Sequence, residues 1–355
     1  NQGMPHHGLG PIRFASYLAL AWLGLVVYGS LHPFAGWRDT GVSPFAFLEG
    51  GWPRYWTVFD LAANVAVYLP LGFFLGLALS RLRGRFTGMA LATLLAGAIS
   101  FGLESVQTWL PSRVPSNLDL ACNTLGGLLG ALWAQAVGPR VLLRITALEH
   151  KLIAPVPHAE LGLTLLGLWL LVPLSPETLL FGAGDLRQMF ALTGAVPFAA
   201  ESFVMIEASI TAFNVLAVGL IVRMLCARLA IAYLITPLFL LLCLVVATLS
   251  AAILVSPLDA LAWLTPGAQL GLTVGTAILL VAMALPATPR LMIAALALMA
   301  GTVLVNLAPP NPYSAAALAA WRQGHFLNFN GLTRLIATLW PFLTLPFLML
   351  SARRH

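Results

Sequence analysis

Seven polar side chains interrupt a strongly apolar chain at helical spacing: Asp60 with Asn64, Glu104 with Gln107, and Asp119 with Asn123, with Arg113 between the last two pairs. Residues three or four apart share a helix face, so each pair presents its polar groups in one direction. An Asp or Arg at the centre of a membrane helix costs roughly 2.5 to 3.5 kcal/mol on insertion scales. Several such groups near helix ends therefore need a shared reason, and a binding site supplies one. Asp60, Asn64, Glu104, Gln107, Arg113, Asp119 and Asn123 are the candidate binding residues. Glu104 and Asp119 are the candidates for acid–base work, and Arg113 for a bidentate fork on a phosphate.

The elements that must position these groups are membrane helices. Of 355 residues, 60% are hydrophobic and 8% charged, with a mean hydropathy of +0.92. A soluble domain carries about 25% charged residues, so a water-soluble globular fold is excluded. Apolar runs lie at residues 13–31, 58–80, 86–109, 118–137, 160–175, 202–222, 229–255, 265–286, 290–308 and 332–350. Most approach the roughly 20 residues that a spanning helix needs; the fifth is short and carries Pro173. The runs are continuous, whereas a transmembrane barrel requires alternation. The expected fold is an all-α, polytopic integral membrane bundle of about ten transmembrane helices.

Basic residues orient the spans. With both termini cytoplasmic, the inner loops hold Arg13, Arg81, Arg83, Arg85, Arg140, Arg144, Lys151, Arg223, Arg228, Arg290, Arg353 and Arg354, against Arg38, Arg54, Arg113, Arg187, Arg322 and Arg334 outside. The positive-inside bias favours this arrangement. It also accounts for the net charge of +6, so no nucleic-acid partner is needed. The cysteines Cys122, Cys226 and Cys243 lie within apolar runs without CxxC spacing and read as packing residues.

In this topology all three polar pairs meet the outer membrane surface, at the ends of the second, third and fourth runs. The intervening loop, Leu110-Pro-Ser-Arg-Val-Pro-Ser-Asn-Leu118, is stiffened by Pro111 and Pro115 and brings Arg113 toward the carboxylates. Gly72 with Gly76 and Gly126 with Gly130 each form a GxxxG, which lets helix backbones approach closely in lipid. Pro70 is placed to kink the second helix.

The ordered set Asp60, Asn64, Pro70-Leu-Gly72, Glu104, Gln107, Pro111, Arg113, Asp119, Asn123 and Gly126 resembles the VanZ-like family, named for the teicoplanin-resistance protein VanZ, over roughly residues 13 to 137. The resemblance implies an integral membrane protein of the bacterial inner (cytoplasmic) membrane, multi-pass and linked to the cell envelope. In some members it extends to reduced susceptibility to glycopeptide antibiotics. It supplies no reaction mechanism.

The resulting organisation is a VanZ-like four-helix unit over 13–137, a cytoplasmic linker over 138–160 and a six-helix region over 161–355. A degenerate repeat is one alternative for the last region, on the loose echo of Asn64-Val65 and Gly72 in Asn214-Val215 and Gly219 and of the proline loop in Ala308-Pro-Pro-Asn-Pro312, an echo that lacks the acidic residues. The outer segment 309–331, with Trp321, Arg322, Gln323, His325 and Phe326, fits an interfacial helix or a lid. Glu201 and Glu207 open the sixth run at the same membrane face.

Three functions stay open. The polar set could recognise an amphiphilic envelope lipid, a lipid-linked precursor or a lipoglycopeptide, with Arg113 on a phosphate and a divalent cation as an optional bridge between carboxylates and pyrophosphate. It could run hydrolysis or transfer on a lipid-linked phosphate, although GxSxG, HExxH and P-loop signatures are absent from the sequence. It could serve an ion- or proton-coupled transporter. A purely structural network, with Arg113 paired to Glu104 or Asp119, competes with all three.

Overall fold

A computed structural model describes residues 10–53, 56–80, 85–175, 178–187, 190, 197–254, 257–309, 311–312 and 327–352. The described residues are helical apart from loops and turns, with no strands among them. The helices are α1 (Pro11–Leu31), α2 (Ala46–Glu49), α3 (Val58–Ala78), α4 (Arg85–Gln107), α5 (Asn117–Leu152), α6 (Ala159–Trp169), α7 (Ala200–Leu225), α8 (Leu229–Leu254), α9 (Pro266–Ala282), α10 (Ala287–Leu307) and α11 (Leu327–Ala352).

Among the described residues, 8 helices are long and apolar enough to cross a membrane: α1, α3, α4, α5, α7, α8, α10 and α11. This is a multi-pass membrane protein. The expected spans at 160–175 and 265–286 fall short of that length, as Ala159–Leu174 and Pro266–Ala282. Their sequences explain it, since Pro173 ends the first in a 3₁₀ turn at Val172–Leu174 and the second stops at Ala282, ahead of Pro286.

The fourth run also differs from its expected end at residue 137. Helix α5 continues unbroken through Pro139 to Leu152, 36 residues in all, so the first half of the 138–160 stretch is part of that helix. Leu142 packs with Ala15, Leu77 and Ala134, giving the extension an apolar anchor.

The chain forms two compact units, one from the described residues of Leu9–Ala147 and one from those of Leu148–His355. In the first, α1, α3, α4 and α5 enclose a core of Val26, Tyr68, Leu71, Ala96 and Leu103. The GxxxG glycines lie where backbones touch. A Cβ on Gly72 would collide with the main chain of Gly127, on Gly126 with the Val65 carbonyl, and on Gly130 with the Leu69 carbonyl. Gly127 turns the other way, onto Ala96 of α4. The Gly126-Gly127 pair thus sets α5 against α3 and α4 at once. One turn before the internal Pro70, the Val67 carbonyl accepts a hydrogen bond from Trp22 Nε1 of α1 at 2.8 Å.

In the second unit α7 is central and buried along most of its length. The repeat Gly267, Gly271, Gly275 on α9 lets that short helix lie directly on α7. Added Cβ atoms there would strike Glu207, Ala208 with Thr211, and Ala212 respectively. Trp169 and Trp340 pack with ring centroids 4.4 Å apart, and Trp340 Nε1 donates to the Leu165 carbonyl at 2.7 Å. Asn306 of α10 clasps a loop that lies ahead of α7 in the chain, accepting from Leu186 N–H at 2.9 Å and donating to the Gly184 carbonyl at 2.8 Å. The segment 313–326, with Trp321, Arg322, Gln323, His325 and Phe326, lies outside the described residues, as do Arg81 and Arg83.

Candidate functional site

The polar residues of the first unit collect where α3 begins, α4 ends and α5 begins. Local sequence sets each end. At α3, Thr57-Val-Phe-Asp60 forms a capping box: Asp60 N–H donates to Thr57 Oγ1 at 3.1 Å, and Thr57 N–H donates back to Asp60 Oδ2 at 3.0 Å. At α5 the equivalent Ser116-Asn-Leu-Asp119 offers the same device, but only half is made. Ser116 Oγ accepts the N–H groups of Leu118 and Asp119 at 3.2 and 3.3 Å. The reciprocal bond comes from a different helix, because Ser116 N–H donates to Glu104 Oε2 of α4 at 2.8 Å.

Glu104 therefore takes the place that Asp119 would hold in its own cap. Only 5% exposed, it meets the positive end of the α5 dipole. Asp119 is released to accept from Asn64 Nδ2 of α3 at 2.8 Å. Its carboxylate feels both Asp60 and Glu104 as like charges. The structure brings Asp60, Asn64, Glu104 and Asp119 together in a graded series: Asp60 is exposed, Asn64 and Asp119 are half-buried, and Glu104 is buried.

Below this group lies a second polar layer. Buried Asn123 donates from Nδ2 to Ser100 Oγ at 2.9 Å, and its Oδ1 stays buried without a partner. The Tyr68 hydroxyl sits near Ser100 and feels the Glu104 charge, yet makes no close hydrogen bond. These groups join the interior of α3, α4 and α5 to the carboxylate layer.

Gln107 and Arg113 turn away from that wall and serve α1. Gln107 Nε2 donates to the Ser30 carbonyl at 2.9 Å. Arg113 Nε donates to the His32 carbonyl at 3.0 Å, and Nη2 donates to Gly29 and His32 carbonyls at 3.0 and 2.8 Å. Among the described residues Arg113 makes no ion pair. This departs from the purely structural alternative, in which Arg113 pairs with Glu104 or Asp119. The last carbonyls of a helix have no partner within it and carry its negative end, and the planar guanidinium suits several at once. Partial burial works against the charge and lowers the Arg113 pKa from its ordinary value.

Two segments cover this end of the unit. Arg38 N–H donates to the Trp109 carbonyl at 3.0 Å, and Thr40 Oγ1 donates to the Thr108 carbonyl at 3.1 Å. Asn117 Nδ2 donates to the Gly50 carbonyl at 2.9 Å. Phe45 stacks on Phe101 at 5.6 Å.

Among the described residues the acids thus form a carboxylate wall with no cation paired to it, rather than a salt-bridge network. No group of three or more His, Cys, Asp or Glu suited to a metal ion occurs among the described residues. The wall can accept hydrogen bonds from amines or hydroxyls, or host a proton shared between carboxylates. Ser116, Ser100 and Tyr68 were not among the candidate residues of the sequence. The Ser-x-x-Asp cap pattern could have pointed to Ser116, while nothing local marks Ser100 or Tyr68.

Residues 15–138 match the VanZ/LLP1 family model, so the N-terminal part of the chain carries this domain. No curated protein and no solved structure matches the chain. The matched residues take in the whole polar constellation.

Proposed function

We propose that the VanZ/LLP1 unit recognises the polar head of an amphiphilic envelope lipid, lipid-linked precursor or lipoglycopeptide at the outer surface of a bacterial inner membrane, and thereby contributes to glycopeptide resistance. The observation that carries this reading is the pair of neighbouring carboxylates, Glu104 and Asp119, held by Ser116 N–H and Asn64 Nδ2 with no cation paired to them among the described residues. Burying acids beside one another is costly. A ligand that brings positive charge or several hydrogen-bond donors would relieve that cost.

The arginine distribution favours an outward orientation for this end. An amphiphile entering from the outer leaflet would meet exposed Asp60 first, then Asn64 and Asp119, then Glu104. Its tail would stay against the lipid-facing helices. The main load falls on the carboxylates, and Arg113 contributes by fixing α1, with Nη1 left for any phosphate.

The test is titration of the purified protein in nanodiscs with teicoplanin and with a polyprenyl-pyrophosphate-linked precursor. Glu104→Gln and Asp119→Asn should each weaken binding about tenfold, the loss of one charge-assisted bond. Failure of the unaltered protein to bind either probe would sink the reading. So would carboxamide variants that lower thermal stability while leaving affinity intact, since that is the signature of a structural network.

A second reading rests on the same proximity. Two carboxylates in different surroundings are the usual arrangement for acid–base chemistry, here hydrolysis or transfer on a lipid-linked phosphate. Phosphate released from the precursor by purified protein, and not by Glu104→Gln, would establish it in place of simple binding.

A further inference from the structure

A cavity of ≈ 210 Å³ opens in the second unit, beside the end of α7 and the start of α10. Val156, Leu220, Leu291 and Leu348 are among its apolar lining, and Arg223 and Arg290 are the charged residues that face it. No acid lines it. The segment 152–156 forms one wall and is fixed by main-chain bonds, Ala154 N–H to the Leu225 carbonyl at 2.8 Å and Ala227 N–H to the Leu152 carbonyl at 2.9 Å.

Both guanidiniums are half-buried and steered by carbonyls rather than by carboxylates. Arg223 donates from Nε to Met283 O and from Nη1 to Cys226 O, each at 3.2 Å. Arg290 donates from Nη1 to Leu285 O at 3.2 Å. Nη2 of both residues and Nε of Arg290 have no acceptor among the described residues. The two charges also lie within repelling reach of one another. Like charges held together in a partly dehydrated hollow need an anion between them, and a planar fork suits an oxyanion.

The setting adds a further contribution. Ala287, the first residue of α10, lines the cavity, and its helix start has no side-chain cap. The positive end of the α10 dipole therefore reaches the same space. The cavity lies at the ends of the α7 and α10 spans, the depth at which lipid phosphates sit and where basic pockets between membrane helices hold anionic head groups.

We propose that this cavity binds a phosphate-class oxyanion, presented either by an anionic lipid head group or as free phosphate, with Arg223 and Arg290 as its clamp. The site is separate from the carboxylate wall of the first unit in both residues and charge sign. Neither the VanZ/LLP1 match, which ends at residue 138, nor the proposed head-group recognition includes it.

Calorimetric titration of the full chain in detergent tests the proposal, with dihexanoyl phosphatidic acid and inorganic phosphate as separate probes. The variants are Arg290→Gln, which removes one guanidinium, and Leu291→Trp, which fills the hollow and leaves both arginines in place. The expected result is binding of at least one probe that falls about tenfold or more in each variant. Loss of lipid binding alone assigns the head group; loss of phosphate binding alone assigns the free anion. Leu291→Trp decides the matter if Arg290→Gln does not fold. Absence of binding to both probes overturns the proposal, as does affinity that Leu291→Trp leaves unchanged.

Discussion

Each compact unit buries a glutamate from one helix against the N-terminal end of another, and the two cases differ in what surrounds the carboxylate. Glu104 accepts the main-chain N–H of Ser116 at the start of α5. Two further acids stand in succession toward the surface, Asp119 and exposed Asp60. Glu207 on α7 accepts the Thr265 hydroxyl at 2.6 Å, while Thr265 Oγ1 accepts Ala268 N–H at the start of α9. Its other oxygen, Oε2, is buried without a partner, so close to Gly267 that no Cβ would fit there. At 2% exposed, Glu207 is closed in by the glycine face of α9. A buried acid at a helix start is thus a local fastening in one unit and the floor of a polar approach in the other. The graded path to the surface, more than the acid itself, distinguishes the first unit from the second.

The comparison breaks most readily at the glycines. Gly130→Leu drives a side chain into the Leu69 carbonyl and should cost about 3 kcal/mol, the upper part of the overpacking range. It would also part α3 from α5, taking the Asn64–Asp119 bond with it. Gly102→Ala, where nothing lies within 4 Å of an added Cβ, should stay within about 0.5 kcal/mol of the parent. Thermal melts in detergent separate the two, and a stable Gly130→Leu protein would mean the helices do not touch as described.

The next effect is at Glu207. Its replacement by Ala removes the acceptor for Thr265 and leaves a void against Gly267, for an expected loss of about 2 kcal/mol. Glu207→Gln should melt within about 0.5 kcal/mol of the parent, because an amide oxygen still accepts from Thr265 and no buried charge is left. If Glu207→Gln instead weakened teicoplanin or precursor binding, the separation between fastening and site would fail.

Arg113→Ala is smaller again. Releasing the Gly29 and His32 carbonyls should cost about 1.5 kcal/mol, as for hydrogen bonds from a charged donor. Probe affinity should change less than in Glu104→Gln. A binding loss exceeding that of Glu104→Gln would restore Arg113 as the main phosphate contact. The smallest expected loss of a contact is Asn64→Ala, which deletes one bond between helices and should cost about 0.6 kcal/mol, the mean for such bonds in membranes.

Much of the architecture was readable because lipid leaves a long apolar segment few choices. The eight helices of spanning length coincide with eight of the ten apolar runs, and the GxxxG pairs of α3 and α5 lie at real backbone contacts. The two short helices failed as spans for reasons also present in the chain, Pro173 in one and Pro286 after the other. The α9 glycine repeat was equally visible at positions 267, 271 and 275, and its meaning emerged only when α7 was found beneath it. The apolar run stops at 137, and the packing of Leu142, which carries α5 onward, leaves no mark in hydropathy.

Sequence alone determined that this chain is helical, membrane-embedded and equipped with a polar set near helix ends, because composition and 3.6-residue spacing are properties of a segment by itself. Tertiary structure decided which donor meets which acceptor. Arg113 reaches a carbonyl 81 residues away, Asn64 bonds an acid 55 residues away, and Glu104 displaces Asp119 from its own cap across 12 residues. The physical reason is competition. Every acid, amide and carbonyl at these helix ends has several chemically acceptable partners, and only the packing of α1, α3, α4 and α5 brings one of them within hydrogen-bond distance.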